Sequence, residues 1–275
     1  MRFIDCHMHM ESQMVELDDF LARLDEAGVD GAGVFSFAPT SYDEPKSADC
    51  PVTPAQNIAL LKDWMSRSDR IYGTFYINPT DMDAIEQVDQ AVEAGIVAFK
   101  VICYDHYPDD PRAMKTYKHI AELGKPVMFH SGILYSPHAS SKYNRPVSFE
   151  PLIEIPNLRF SLAHISWPWV DEFVSLYGHW NYMKERGWVT SELFCDTTPG
   201  TPSIYRYEAL NKLYNVGYKI EDNIMLGIDC TWDYSVDYSK QIQNNDIEIF
   251  KKLGLSNEQK EKYFYKNYLR FIGKE

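Results

Sequence analysis

The segment Phe3-Ile4-Asp5-Cys6-His7-Met8-His9 begins with an apolar pair and then places two histidines one residue apart. Alternate residues of a β-strand point to the same face of the sheet. His7 and His9 would therefore project in parallel from a strand end, which suits two neutral imidazoles that bind one divalent metal ion. A His-x-His pair on its own does not distinguish a metal site from surface or core histidines.

Three more residues of the metal-ligand type follow apolar runs later in the chain. Each would close a strand, as the two histidines do in the opening segment. A polar side chain at the end of a buried apolar run needs a partner, because burial without one is costly. Four strand ends that finish in His or Asp therefore predict one shared site. The three residues are His130 after 126–129, His164 after 158–163 and Asp229 after 224–228.

The spacing of these residues predicts the fold class. Short β-type runs alternate with helical stretches whose apolar residues recur every three to four positions, as in a parallel sheet covered by helices. His9 and Asp229 lie 220 residues apart, or about 31 residues for each of seven steps, close to the length of one βαβ unit. The sequence therefore predicts an α/β fold with one domain over residues 1–275, a (β/α)8 TIM barrel. The candidate strands are 2–7, 31–37, 71–77, 96–102, 126–130, 159–164, 192–196 and 224–229.

A closed barrel also accounts for where the candidate ligands fall. Active sites of such barrels lie at the C-terminal ends of the strands, and closure makes the first and eighth strands neighbours. The long loops 39–54, 130–146 and 197–205 would cover this end. Aromatic residues after strands 6 and 8 would form a wall over the substrate or only pack, and two loop histidines could reach the site. These residues are Trp167, Trp169, Trp232 and Tyr234, with His106 and His138.

Composition argues against several classes of function. The chain has 275 residues, 45% hydrophobic and 24% charged, and a formal net charge of −13, which argues against nucleic-acid and anionic-membrane partners. No apolar run approaches the roughly 18 residues that span a bilayer. Five scattered cysteines and the lack of a basic and apolar leader indicate a cytoplasmic protein with reduced thiols. The expected partner is a small-molecule substrate, and the chain could form a homo-oligomer.

Several stretches taken together resemble one known group of enzymes. The resemblance is to the amidohydrolase superfamily, specifically the amidohydrolase-related branch that includes aminocarboxymuconate semialdehyde decarboxylase. It covers nearly the whole chain, and the stretches are specific in combination rather than singly. They are 4–9 (IDCHMH), 125–130 (KPVMFH), 145–146 (RP), 149–150 (FE), 156–160 (PNLRF), 163–164 (AH), 226–229 (LGID) and 266–270 (KNYLR).

The resemblance implies a metal centre with one or two divalent ions. His7, His9, His130 and Asp229 match the metal ligands of the branch, and His164 lies beside the metal as a ligand or an acid/base. One ion per chain is expected, with Zn²⁺ favoured by the His and Asp donors. The usual strand-8 pattern Gly-x-Asp-x-Pro lacks its proline here, so the rim at this strand could be shaped differently. A strand-4 lysine is carboxylated in some superfamily members, but Lys100 is expected to be unmodified.

Three residues are candidates for binding substrate. Arg145, on the loop after strand 5, could hold a substrate carboxylate with its guanidinium, or could be an ordinary surface arginine. Lys100 could bind a carboxylate or pair with an acidic side chain. Trp167 could contribute an aromatic surface. These assignments allow for a carboxylate-bearing substrate.

The leading functional hypothesis is a metal-dependent hydrolase of a small amide, lactone or cyclic ester that uses a metal-activated water. Asp229 would accept the water proton and return it to the leaving group, and His164 would stabilise the oxyanion. The alternative is a non-oxidative decarboxylase or hydratase of a small aromatic or unsaturated carboxylate. A phosphoesterase resembling the TatD-type nucleases is less favoured, because those carry an acidic strand-4 ligand where this chain has Lys100. A barrel that only binds a ligand is the non-enzymatic alternative.

Overall fold

A computed structural model describes residues 1–11, 13–42, 47–51, 53–136, 139–231 and 234–274. Eight parallel strands form one sheet in which each strand pairs with the next along the chain. The strands read as nearly continuous apolar runs because side chains on both faces are buried, by the barrel interior and by the helices. Their bounds are β1 Ile4–His9, β2 Gly31–Phe35, β3 Ile71–Tyr76, β4 Ala98–Val101, β5 Val127–Phe129, β6 Arg159–Leu162, β7 Glu192–Asp196 and β8 Ile224–Met225.

Backbone hydrogen bonds bring the first strand and the segment after the last strand together. The Cys6 N–H donates to the Leu226 carbonyl at 3.0 Å, and the His9 N–H donates to the Cys230 carbonyl at 3.0 Å. In the other direction, the Asp229 N–H donates to the His7 carbonyl at 3.1 Å. The barrel is therefore nearly closed, and the predicted TIM-barrel fold is confirmed.

Six strands, β2 to β6 and β8, are shorter than the sequence predicts, and β1 runs from 4 to 9 rather than from 2 to 7. β5, β6 and β8 stop before His130, His164 and Asp229, so these residues follow the strands rather than end them. His164 and Asp229 have φ angles of 61° and 62°, in the left-handed region, which a strand does not accommodate. The backbone is therefore no longer in a strand conformation at His164 and Asp229.

Helices cover the outside of the barrel. Helix α2 begins with a capping box in which Thr53 and Gln56 each accept from the other's backbone N–H. Helix α1 ends at Gly28, whose φ of 70° closes the helix in the left-handed region. The bounds are α1 Leu17–Ala27, α2 Pro54–Arg67, α3 Ala84–Glu93, α4 Pro111–Glu122, α5 Val170–Glu185, α6 Ser203–Asn215, α7 Val236–Leu253, α8 Asn257–Glu261 and α9 Asn267–Ile272.

The connection between β5 and β6 departs from the regular βα pattern. It contains the 3₁₀ segments Ser141–Asn144 and Pro146–Glu154 in place of an α-helix. Pro151 lies inside the second segment, and a proline there has no N–H to donate to a helical hydrogen bond. Among the described residues, no helix is long and apolar enough to cross a membrane.

A buried ion pair joins α6 and α7 to the end of β7. The Arg206 guanidinium donates from Nε and Nη2 to the two carboxylate oxygens of Asp246, at 2.6 and 2.7 Å. Its Nη1 donates to the Thr197 carbonyl at 2.7 Å, and the Tyr263 hydroxyl donates to Asp246 at 2.6 Å. Arg206 and Asp246 are buried, so each charge depends on the other for compensation.

We expect Arg206→Met to destabilise the protein by about 3–5 kcal/mol, because it leaves the Asp246 carboxylate buried without its cation. The double variant Arg206→Met with Asp246→Leu removes both charges, so it should recover part of that loss. Urea unfolding of the wild type and both variants measures the free energies. A single-variant loss below about 1 kcal/mol, the size of a surface ion pair, would contradict the assignment.

Candidate metal centre

His7 is held in one orientation by the Asp196 carboxylate, which lies at the C-terminal end of β7. Its Nδ1 lies 3.1 Å from Asp196 Oδ2, and both side chains are fully buried. A carboxylate only accepts hydrogen bonds, so Nδ1 carries the proton and Nε2 presents its lone pair. His7 Nε2 lies 3.1 Å from His9 Nε2 and 3.5 Å from Asp229 Oδ1.

His7, His9 and Asp229 form a group that could hold a metal ion. One ligand atom from each lies within 4.8 Å of the other two. The histidines share one face of β1, as their spacing predicts, and the carboxylate comes from the turn after β8. Burial, with the nearby Lys100 cation, holds the pKa of His7 well below its usual range, and burial does the same for the pKa of His9. Both rings are therefore neutral, as metal ligation requires.

Two further imidazoles complete the floor of the site. The ring centres of His130 and His164 are 4.7 Å apart, and that of His164 is 5.3 Å from His7. His130 Nε2 and His164 Nδ1 are buried without a hydrogen-bond partner in the described part of the chain. Buried polar atoms of this kind call for a partner, and an imidazole nitrogen suits a divalent ion. Burial lowers the pKa of His164 to about 4, so this ring is also neutral near pH 7.

Asp229 supplies the carboxylate of this ligand group, and its side chain faces a cavity. Its side chain is 32% exposed and lines the cavity described below. Burial raises the pKa of its carboxyl to about 7, against the opposing effect of Lys100. A carboxyl group with such a pKa exchanges a proton readily near neutral pH, which suits a general base.

Lys100 lies beneath the histidines rather than in the cavity. It belongs to β4 and is fully buried, with Nζ 3.4 Å from His7 Nε2 and 4.9 Å from the centre of the Phe35 ring. Burial lowers the pKa of the amine to about 8. Lys100 therefore lies against His7, and it is not among the residues that line the cavity.

The other two candidates for binding substrate, Arg145 and Trp167, lie in different surroundings. Arg145 binds Glu172 at 2.5 Å and packs over the Trp169 ring, and it is not among the cavity-lining residues. Trp167 does line the cavity, and its ring stacks on Tyr205 with 4.9 Å between centres. Of these two candidates for binding substrate, Trp167 lines the cavity and Arg145 does not.

Two of the remaining loop candidates, Tyr234 and His106, are buried. Tyr234 is buried and donates its hydroxyl to Asp5 at 3.2 Å, so it braces β1 rather than walling the cavity. His106 is buried beside Asp105, with 3.0 Å between Nδ1 and the carboxylate. Trp232 and His138 lie outside the described residues.

Asp196 is a further residue of the candidate site, and the sequence patterns described above do not point to it. Besides His7, its carboxylate accepts from the backbone N–H groups of Thr198 at 3.0 Å and His164 at 3.3 Å. It therefore fixes two of the site histidines at once. The sequence does contain a signal for Asp196, because this residue closes the apolar run Leu193-Phe194-Cys195. The other ligand candidates follow apolar runs in the same way.

We expect Asp196→Asn to weaken divalent-metal binding by about 10–100-fold, the usual effect of removing a carboxylate behind a histidine ligand. The amide still occupies the space, but it supplies no negative charge to hold Nδ1–H of His7. Competition with a chromophoric chelator measures the affinity. Asp109→Asn, at an exposed position before α4, is the matched control. Equal affinities for the two variants would argue against this role.

A cavity of about 460 Å³ opens above these residues. One side of it carries His9, His130, His164 and Asp229, and the rest is largely aromatic and aliphatic. Its volume is in the range that holds small organic ligands. The arrangement thus combines metal-ligand side chains, a carboxyl group able to exchange protons and space for a small molecule.

Comparisons with known proteins agree with this architecture. The chain is similar to a Pseudomonas putida protein assigned as a 2-pyrone-4,6-dicarboxylic acid hydrolase, at 15% identity and a TM-score of 0.61, over 100% of this chain and 98% of that one. It is similar to dihydroorotase from Campylobacter jejuni at 16% identity and a TM-score of 0.63, over 99% and 83%. It is also similar to Amidohydrolase 2 from Bifidobacterium longum subsp. infantis at 12% identity and a TM-score of 0.58, over 99% of both chains. No curated protein matches the chain in sequence.

At these identities the solved structures show a common fold. The sequence profile of one family, described as amidohydrolase, matches residues 4–274. That match runs from the opening His-x-His strand to the end of the last helix and covers every residue of the candidate site. The chain therefore belongs to the amidohydrolase family.

Proposed function

We propose that this protein is a metal-dependent hydrolase of a small carbonyl compound, such as an amide, a lactone or a cyclic ester. The observation that carries the proposal is the group of His7, His9 and Asp229, whose ligand atoms lie within 4.8 Å of one another at the rim of the barrel. Asp229 and His9 of this group also line the cavity. Membership of the amidohydrolase family supports the same class of reaction.

The donor set fits one divalent ion, and we propose Zn²⁺. His7, His9, His130 and Asp229 would hold it, because neutral imidazole and carboxylate are the donors that Zn²⁺ accepts in catalytic sites. When bound, such an ion supplies Lewis acidity that polarises a carbonyl and lowers the pKa of a water molecule to about 7.

Asp229 and His164 provide the proton chemistry. The Asp229 carboxylate faces the cavity, where it accepts a proton from the attacking water and then delivers it to the leaving group. His164 also lines the cavity, and its neutral ring keeps one N–H. That N–H can donate to the carbonyl oxygen as negative charge develops there.

A test starts from protein stripped of metal with a chelator and reloaded with Zn²⁺. We expect hydrolysis of at least one member of a panel of aryl esters, lactones and amides, lost on stripping and restored on reloading. Hydrolysis that survives complete removal of metal would contradict the proposal. Release of CO₂ from an unsaturated carboxylate, without hydrolysis of the panel, would instead favour the decarboxylase alternative.

A further inference from the structure

The cavity has a wall whose chemistry differs from that of the metal-ligand side. This apolar wall consists of Ala38, Tyr76, Ile102 and Leu134, all of which line the cavity. They lie at or just after the ends of β2, β3, β4 and β5, so four successive strands contribute to it. They belong to a small hydrophobic cluster that is separate from the main core.

Tyr42 supports the apolar wall from behind. Its hydroxyl donates to the Ile102 carbonyl at 3.0 Å. Its ring meets the Tyr104 ring edge to face at 4.6 Å and lies 5.8 Å from Tyr76. Tyr42 is buried, so these contacts fix the wall without help from a ligand.

Away from the metal-ligand side, the side chains around the cavity disfavour a substrate that carries a carboxylate. Its lining residues within the described ranges include two carboxylates, Glu11 and Asp229, and neither lysine nor arginine. The two cations suggested by the sequence lie elsewhere, since Lys100 is beneath His7 and Arg145 is paired with Glu172. A substrate carboxylate remote from the reacting carbonyl would lose its hydration against the apolar wall without gaining a cationic partner.

Resting on the hydrolase function proposed above, we infer that the substrate is an uncharged carbonyl compound with an apolar ring. The ring packs against Ala38, Tyr76, Ile102 and Leu134, and the carbonyl faces the metal-ligand side. Burial of such a ring removes apolar surface from water, which favours binding. This inference replaces the carboxylate-bearing substrate that the sequence allowed.

A binding measurement tests the inference without relying on turnover. The probes are 2-quinolinone, a neutral bicyclic lactam, and 2-quinolinone-4-carboxylate, titrated calorimetrically into the Zn²⁺-loaded protein. We expect the neutral probe to bind at least about tenfold more tightly, because burying an unpaired charge costs more than burying an unpaired neutral polar group, for which a tenfold factor is near the lower end.

Adding a cation to the cavity should reverse this preference. Leu134→Arg places a guanidinium on the apolar wall, and Leu123→Arg, on the exposed C-terminal end of α4, is the matched control. Tyr135 lines the mouth of the cavity with 85% of its surface exposed, so Tyr135→Arg makes the same change without burying the new residue. We expect tighter carboxylate binding in both cavity variants and an unchanged preference in the control.

The outcomes separate this inference from the proposed function. Equal or tighter binding of the carboxylate by the wild type, or no binding of either probe, overturns the inference and leaves the hydrolase proposal to its own test. Preference for the neutral probe, reversed in a cavity variant, supports the inference. If that preference holds while neutral lactones such as dihydrocoumarin are not hydrolysed, only the hydrolase function fails.

Discussion

Asp229→Asn is expected to lower kcat on the best substrate by about 10²–10⁴-fold, the usual contribution of a general acid–base. The amide keeps the shape of the side chain but can neither accept the water proton nor return it. The fold should survive, because the backbone hydrogen bond from Asp229 to His7 is retained. Asn also tolerates the left-handed backbone at this position, where φ is 62°.

The measurement pairs kcat with the metal content of the variant. Asp229 is also a candidate ligand, so a fall in kcat counts only for protein that has been reloaded with Zn²⁺ and assayed at known occupancy. Thermal unfolding of the metal-free form checks the fold. An Asp229→Asn variant with full occupancy and near-wild-type turnover would remove Asp229 from the proton chemistry.

His7→Ala should abolish tight metal binding. His7 Nε2 is close to both other members of the ligand group, 3.1 Å from His9 Nε2 and 3.5 Å from Asp229 Oδ1. We expect the metal content to fall from about one ion per chain to less than about a tenth, because a zinc site that loses one of its few protein ligands binds far more weakly.

Elemental analysis after dialysis against a weak chelator measures this content. His119→Ala is the matched control, since His119 lies on α4 and binds Asp89 away from the barrel rim. His9→Ala and His130→Ala should also lose the ion. If all three ligand variants keep the wild-type content, the ligand assignment is wrong.

The barrel and the position of its candidate site could be predicted from the sequence because both depend on local patterns. The alternation of His7 and His9 places them on one face of β1, and the spacing to Asp229 matches eight βα units. The recurring strand-end pattern also places His130 and His164 at the same rim. These features need only the period of a strand and the rule that barrel sites lie at the C-terminal ends.

Other features depend on contacts between distant segments. The sequence does not reveal that Arg145 pairs with Glu172 or that Lys100 lies beneath His7, since both follow from how helices and strands pack. Prolines in 146–154 replace a helix with 3₁₀ turns, which helical periodicity alone does not show. The sequence does not reveal the apolar wall for the same reason, because its four residues lie at or after the ends of four separate strands.

The metal centre itself is tested most directly by a crystal structure of the Zn²⁺-loaded protein with anomalous data collected at the zinc edge. We predict one anomalous peak per chain, bonded to imidazole nitrogens of His7, His9 and His130 and to the Asp229 carboxylate, with Lys100 unmodified. A second peak within about 4 Å, the spacing of two-metal sites, with added density on the Lys100 amine would contradict the single-ion centre. Zinc bound only away from the four side chains would contradict the account as a whole.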